Sequence, residues 1–197
     1  MKLKVLALAV VALIVTGCST AGSQPSPSAT MESPPLPTVT VAVETCDDFM
    51  SDGPVATGEG ALPDITVDCL QGDQKVRLGA VRGPMIIAVW ASWCVPCSEE
   101  MPIIQQFHDQ YGDKVSVLGY ALLDETSQAI AGSFNWGVTL PSLEDPDGVF
   151  RPDLSIQAPP TTLFIDENGR IVHREFGAVK DLGELLGLVD QHLGIPL

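Results

Sequence analysis

Apolar residues recur along this chain in two rhythms, one of strand type and one of helix type, and their order outlines a fold before any chemistry is considered. Met85–Trp90 is an unbroken apolar run, with the length and composition of a strand buried on both faces of a parallel sheet. After Cys97, the residues Met101, Ile104, Phe107, His108 and Tyr111 return at helical spacing until Gly112, which predicts a helix ending at the glycine. Residues 115–123 predict a second buried strand and 127–134 a second helix. A shorter strand over 139–143 and a bend at Asp145-Pro146-Asp147-Gly148 follow. Thr161–Ile165 and the run from Arg170 to Phe176 flank Asp166-Glu167-Asn168-Gly169, the pattern of two strands joined by a tight turn. Leu182, Leu185, Leu186, Val189 and Leu193 then form the apolar stripe of a closing helix. A strand-helix-strand start followed by a hairpin and a helix predicts an α/β domain of three layers with a mixed central sheet.

The first 42 residues do not share this rhythm. Met1-Lys2-Leu3-Lys4 is basic, and residues 5–15 are uniformly apolar. That run falls short of the roughly 18 residues needed to span a bilayer, so an export signal is expected rather than a membrane anchor. The tetrapeptide Val15-Thr16-Gly17-Cys18 resembles a bacterial lipobox, which implies cleavage after residue 17 and a diacylglycerol on Cys18. Pro25, Pro27, Pro34, Pro35 and Pro37 crowd into the stretch of Ser, Thr, Ala and Pro that comes next. Such a sequence buries no core and favours polyproline II, so residues 18–42 are expected to be a tether with a reach on the order of 50 Å. The expected organisation is a signal peptide over 1–17, this lipidated tether, and one folded domain over 43–197 on the outer side of the cell membrane.

Charge narrows the partners. The chain has 25 acidic and 10 basic side chains and a net charge of -15, which argues against a nucleic-acid partner because phosphate binding needs clustered Lys and Arg. Loss of Lys2 and Lys4 with the leader makes the mature charge -17. Partners that are neutral or basic around the point of contact are expected.

The chemistry is concentrated where the first strong strand meets the first helix, at Trp90-Ala91-Ser92-Trp93-Cys94-Val95-Pro96-Cys97. Two thiols three positions apart at a helix start can close a small disulfide ring. Unpaired backbone N–H groups and the helix dipole favour a thiolate at the outer position, so Cys94 is the expected nucleophile. Cys97, one turn inward, would attack the mixed disulfide and release the partner. Half a zinc site has the same spacing, but His108, His173 and His192 form no paired motif and the other cysteines lie well upstream. No metal site and no cofactor are therefore expected. Cys46 and Cys69 are left as an even pair in an exported chain and are expected to form a structural disulfide. His173 reads as a packing residue of the hairpin, and Trp90 as a cap on the core beside the thiols.

The octapeptide around Cys94, followed by Glu100-Met101-Pro102 and later by Pro160-Thr161-Thr162-Leu163-Phe164-Ile165-Asp166 with Asn168-Gly169, resembles the thioredoxin superfamily. Within it the match is to the extracytoplasmic TlpA/ResA-like thiol-disulfide oxidoreductases, from about Leu62 to the C-terminus. The resemblance implies a thioredoxin fold with an N-terminal extension packed on the sheet and a central insertion over about 124–141. It implies that Pro160 is a cis-proline facing the dithiol, with Trp93, Pro159 and Pro160 docking the client, and that Pro102 is a structural helix kink. Two departures stand out: the buried Asp of thioredoxin is replaced by Ala88, and Pro159 has no N–H to offer a docked chain. Glu100 matches an acid placed near the site in this branch; it reads either as a proton relay and thiol-tuning group or as a solvated surface carboxylate. The implied activity is disulfide exchange with exported client proteins by a monomer coupled to a membrane electron donor or acceptor. The expected direction is reductase, of the cytochrome c maturation type or general. Disulfide donation to exported proteins, a non-catalytic Cu(I)-holding adaptor and a thiol peroxidase are the alternatives.

Overall fold

The computed structural model describes residues 42–197; the leader, Cys18 and all of the tether before Ala42 lie outside the described residues. The described chain forms a seven-stranded sheet from β1 (Thr66–Cys69), β2 (Lys75–Arg77), β3 (Met85–Trp90), β4 (Ser116–Leu122), β5 (Ser142–Asp145), β6 (Thr161–Ile165) and β7 (Ile171–Phe176), in the order β2-β1-β5-β4-β3-β6-β7. The helices are α1 (Val95–Tyr111), α2 (Thr126–Trp136) and α3 (Leu182–Leu193). β3, β4 and β5 run parallel, with α1 and α2 as the crossovers, while β6 lies antiparallel to β3 and β7 antiparallel to β6. The sheet is therefore mixed, as the pattern of runs predicts.

Strand β3 lies at the middle of the packing because every one of its residues is buried. Met85, Ile87 and Val89 face one apolar cluster, which also holds Phe49, Leu62, Leu154 and Ile156. Ile86, Ala88 and Trp90 face the other, with Cys97, Met101 and Phe107 of α1, Ala129 of α2 and Leu185 and Val189 of α3. This strict alternation is what a strand needs to bury both faces. All three helices thus feed one cluster, and the opposite face is closed by the irregular chain before β1 and between β5 and β6. Helix α1 continues through Pro102. His173 of β7 is half-buried and stacks on His192 of α3 with ring centroids 3.6 Å apart.

Several expectations need correction. The N-terminal extension does not simply pack on the sheet: β1 and β2 hydrogen-bond into it, with β1 antiparallel to β5. The second helix runs from Thr126 to Trp136, longer than 127–134, and ends at Gly137, whose φ of 68° is the left-handed cap that glycine adopts without steric cost. The strand expected over 139–143 begins only at Ser142. Gln105 of α1 takes the N–H groups of Thr139 and Leu140 on its Oε1 at 2.7 and 2.9 Å, so these residues are tied to a helix rather than to a strand. Asp145 ends β5 instead of lying in the bend; its carboxylate accepts from Tyr120 Oη and from the N–H groups of Val149 and Phe150.

Cys46 and Cys69 are joined by a disulfide, and both are buried. The link closes a loop of 23 residues between the start of the described chain and β1, which lies between β2 and β5. A loop of that size corresponds to about 3 kcal/mol in the chain-entropy account of disulfides.

Candidate active site

At the end of β3 the chain turns through Ala91-Ser92-Trp93, with the N–H of Cys94 donating to Ala91 O at 3.0 Å, and enters α1. Cys94 is the N-cap of that helix. Its Sγ accepts from the N–H of Cys97 at 3.3 Å, one of the donors that a helix start leaves without a partner. This bond and the helix dipole both favour sulfur as a thiolate when the pair is reduced. Pro96 lies in the first turn, where its missing N–H is of no consequence. The two cysteines form a disulfide with Cα atoms 5.3 Å apart. Cys97 is 0% exposed and Cys94 6%, and Cys94 lies between the exposed side chains of Trp93 and Val95. The outer sulfur is the accessible one.

Glu100 lies three residues beyond Cys97, which puts the two on the same face of α1. It is 1% exposed, so the surface-carboxylate reading is overturned. Its Oε1 accepts from the N–H of Val179, in the loop before α3, at 2.9 Å, while Oε2 has no hydrogen-bond partner. Burial pushes its pKa up to about 7; the Val179 N–H and the nearby Thr162 hydroxyl oppose the rise, and the charge of Glu184 adds to it. The register pairs Thr162 with Ala88. The strand position at which thioredoxin carries its acid thus faces the same cluster, and here a carboxyl reaches that region from the helix.

The same register pairs Val89 with Thr161, which brings Pro160 to the end of β3 where the dithiol loop begins. The Pro159–Pro160 bond is cis. Pro160 is buried, Pro159 is half-buried, and with Ala158 and Phe176 they line a shallow groove of about 440 Å³. Backbone docking is more restricted than the resemblance implies. Neither proline has an N–H, the carbonyl of Pro160 accepts from Gly177 N at 3.1 Å, and that of Ala158 from Thr161 Oγ1 at 2.7 Å. The apolar side chains, with Phe176 at 56% exposure, provide most of what this groove offers a partner.

Two contacts have no counterpart in the sequence reading. The indole N–H of Trp93 donates to Leu123 O at 2.8 Å, and the carboxylate of Asp124 takes both the N–H and the Oγ of Ser92, at 2.5 and 2.7 Å. Asp124 is 4% exposed. Its position directly after the apolar run 115–123 was the only available signal. Trp90 is fully buried and packs edge-to-face on Trp136 at 5.7 Å.

A dithiol at a helix N-terminus, a cis-proline at the neighbouring strand start and a mixed sheet in this order form one arrangement. The Redoxin family model matches residues 56–187. The chain belongs to the Redoxin family. Among relatives of this Redoxin protein, the thioredoxin-like protein YneN of Bacillus subtilis is 29% identical over 131 residues, covering 64% of this chain and 76% of YneN. A thiol:disulfide interchange protein DsbE homolog of Paracoccus denitrificans is 34% identical over 106 residues, covering 53% of this chain and 55% of the homolog. The chain thus spans about half of that relative. A DsbF homologue from Corynebacterium diphtheriae superposes with a TM-score of 0.58 at 25% identity, covering 76% of this chain and 99% of the homologue. This Redoxin protein is a thiol-disulfide oxidoreductase with a thioredoxin-like fold.

Proposed function

We propose that the protein is an extracytoplasmic reductase, held to the membrane through Cys18 and residues 18–42, that passes electrons from a membrane thiol donor to oxidised exported clients. Apocytochrome c cysteines are one such client. Cys94 as thiolate attacks a client disulfide, forming a Cys94–client mixed disulfide and expelling one client thiolate. Cys97 then loses its proton to Glu100 and attacks Cys94 Sγ, releasing the second client thiol and leaving the Cys94–Cys97 disulfide. The client gains two electrons and the dithiol loses them, to be restored by the membrane donor.

The observation that carries the direction is the charge around the pair. Helix α1 has no Lys or Arg along its length, and the buried acids Glu100 and Asp124 come from two sides. The reduced thiolate has the helix N-terminus to stabilise it and little else, and a poorly stabilised reduced form makes a reducing couple. The test is trapping in cells. A Cys97→Ala chain should accumulate with exported cysteine-bearing proteins bound through Cys94 and released by dithiothreitol; the absence of any disulfide-linked partner would contradict the reading.

A further inference from the structure

We propose that Asp124 is a positioning residue for the redox site, fixing the loop that carries Cys94 and opposing negative charge on its sulfur. The proposal rests on the reading of Cys94 as the attacking thiol. Asp124 follows β4, and β3 and β4 are in register up to Trp90 and Ala121. The ends of the two strands therefore leave the sheet side by side, and Leu123 and Asp124 face the loop that follows Trp90. Asp124 Oδ2 accepts from Ser92 N and Oδ1 from Ser92 Oγ, while Leu123 O accepts from the indole of Trp93. Two consecutive residues of one strand end thus hold the two residues before Cys94. The site is closed on its other side by α2, where a Cβ on Gly132 would lie 3.0 Å from Ser92 Cβ. The Asp124 carboxylate is buried, while Ser92 is half-buried and Trp93 stays exposed.

The charge follows from the same geometry. Among the described residues no basic side chain pairs with Asp124. Ser92 is two residues from Cys94, a span of at most about 7 Å along the chain. With the hydrogen bond and side-chain reach added, the carboxylate lies at most about 14 Å from Sγ, where a charge at an effective dielectric of about 20 still acts on the thiolate by roughly one pK unit. The hydroxyl and N–H of Ser92 partly neutralise it. Removing the negative charge should favour the thiolate and with it the reduced form; removing the Ser92 hydroxyl should do the reverse.

The experiment compares the full chain with D124N and S92A, following the thiolate ultraviolet absorbance of Cys94 with pH and the equilibrium with glutathione buffers. D124N keeps the shape and loses the charge. Its Cys94 midpoint should fall by about one unit, and at a pH above both midpoints its equilibrium should move about tenfold towards the dithiol, equivalent to about 30 mV for this two-electron couple. S92A keeps the charge and loses one donor, so its midpoint should rise. A purely structural role would lower the stability of both variants and leave both midpoints in place. That result, or shifts of the same sign, would overturn the proposal. Should D124N fail to fold, S92A decides alone, a rise supporting the proposal and no rise overturning it. Failure of the underlying reading is distinct, since it would show as no titrating Cys94 thiolate in the unaltered chain.

Discussion

Replacing Cys94 with alanine is expected to reduce disulfide exchange at least about a thousandfold, because the accessible nucleophile is lost and no other described thiol can take its place. Cys46 and Cys69 are buried in their own disulfide, and Cys97 is fully buried behind Cys94. Cys97→Ala should behave differently. Attack by Cys94 is retained, release is not, and a single equivalent of mixed disulfide should form with a small disulfide substrate and persist. Rapid-mixing measurements with a fluorescent disulfide and mass spectrometry of the product separate the two variants. Substantial turnover in Cys94→Ala would remove Cys94 from the mechanism.

Glu100→Gln should have the second-largest effect, and on two properties. With its pKa near 7, Glu100 can take the proton of Cys97 and return it close to neutral pH, where an acid-base group works best. The resolving step should accelerate as pH rises through about 7 in the unaltered chain. In Glu100→Gln that limb should be lost, with resolution about a hundredfold slower at pH 8. Stability should respond in the sense set by linkage. The carboxyl titrates near 4.5 when unfolded and near 7 when folded. Between these values the native state holds more proton than the unfolded one, so stability falls as pH rises from about 4.5 to 7. The full cost of burying the charge, on the order of 3 kcal/mol, is felt above that window. Glutamine carries no charge at any pH, so the variant should match the parent near pH 4 and exceed its stability at pH 8. Urea unfolding at the two pH values tests this, and an equal difference at both would contradict the buried-charge account.

How much of this was legible in the sequence depended on whether each interaction was local. The dithiol was legible because spacing within a single turn is local chemistry. β3, the hairpin β6–β7 and α3 were legible because their apolar pattern is long and regular. β1 and β2 were missed: Thr-Val-Asp-Cys and Lys-Val-Arg alternate over too few residues to stand out, and β1 pairs with β5 more than seventy positions away. β5 was shifted because Gln105, on a different element, takes the N–H groups of Thr139 and Leu140. The site shows the same division. Glu100 could be picked out by its place in a motif, but its burial depends on Val179 N, 79 residues later, and the partnership of Ser92 with Asp124 crosses 32 residues. No periodicity records a contact of that kind.

The central claim is that this helix-capped dithiol, flanked by buried acids, is a reducing couple. Its reduction potential, obtained by equilibrating the purified chain with dithiothreitol and glutathione buffers and quantifying the Cys94–Cys97 disulfide, tests that claim most directly. The account predicts a value in the range of thioredoxin, about -270 mV, and a value near the -120 mV of a strong oxidant such as DsbA would contradict it.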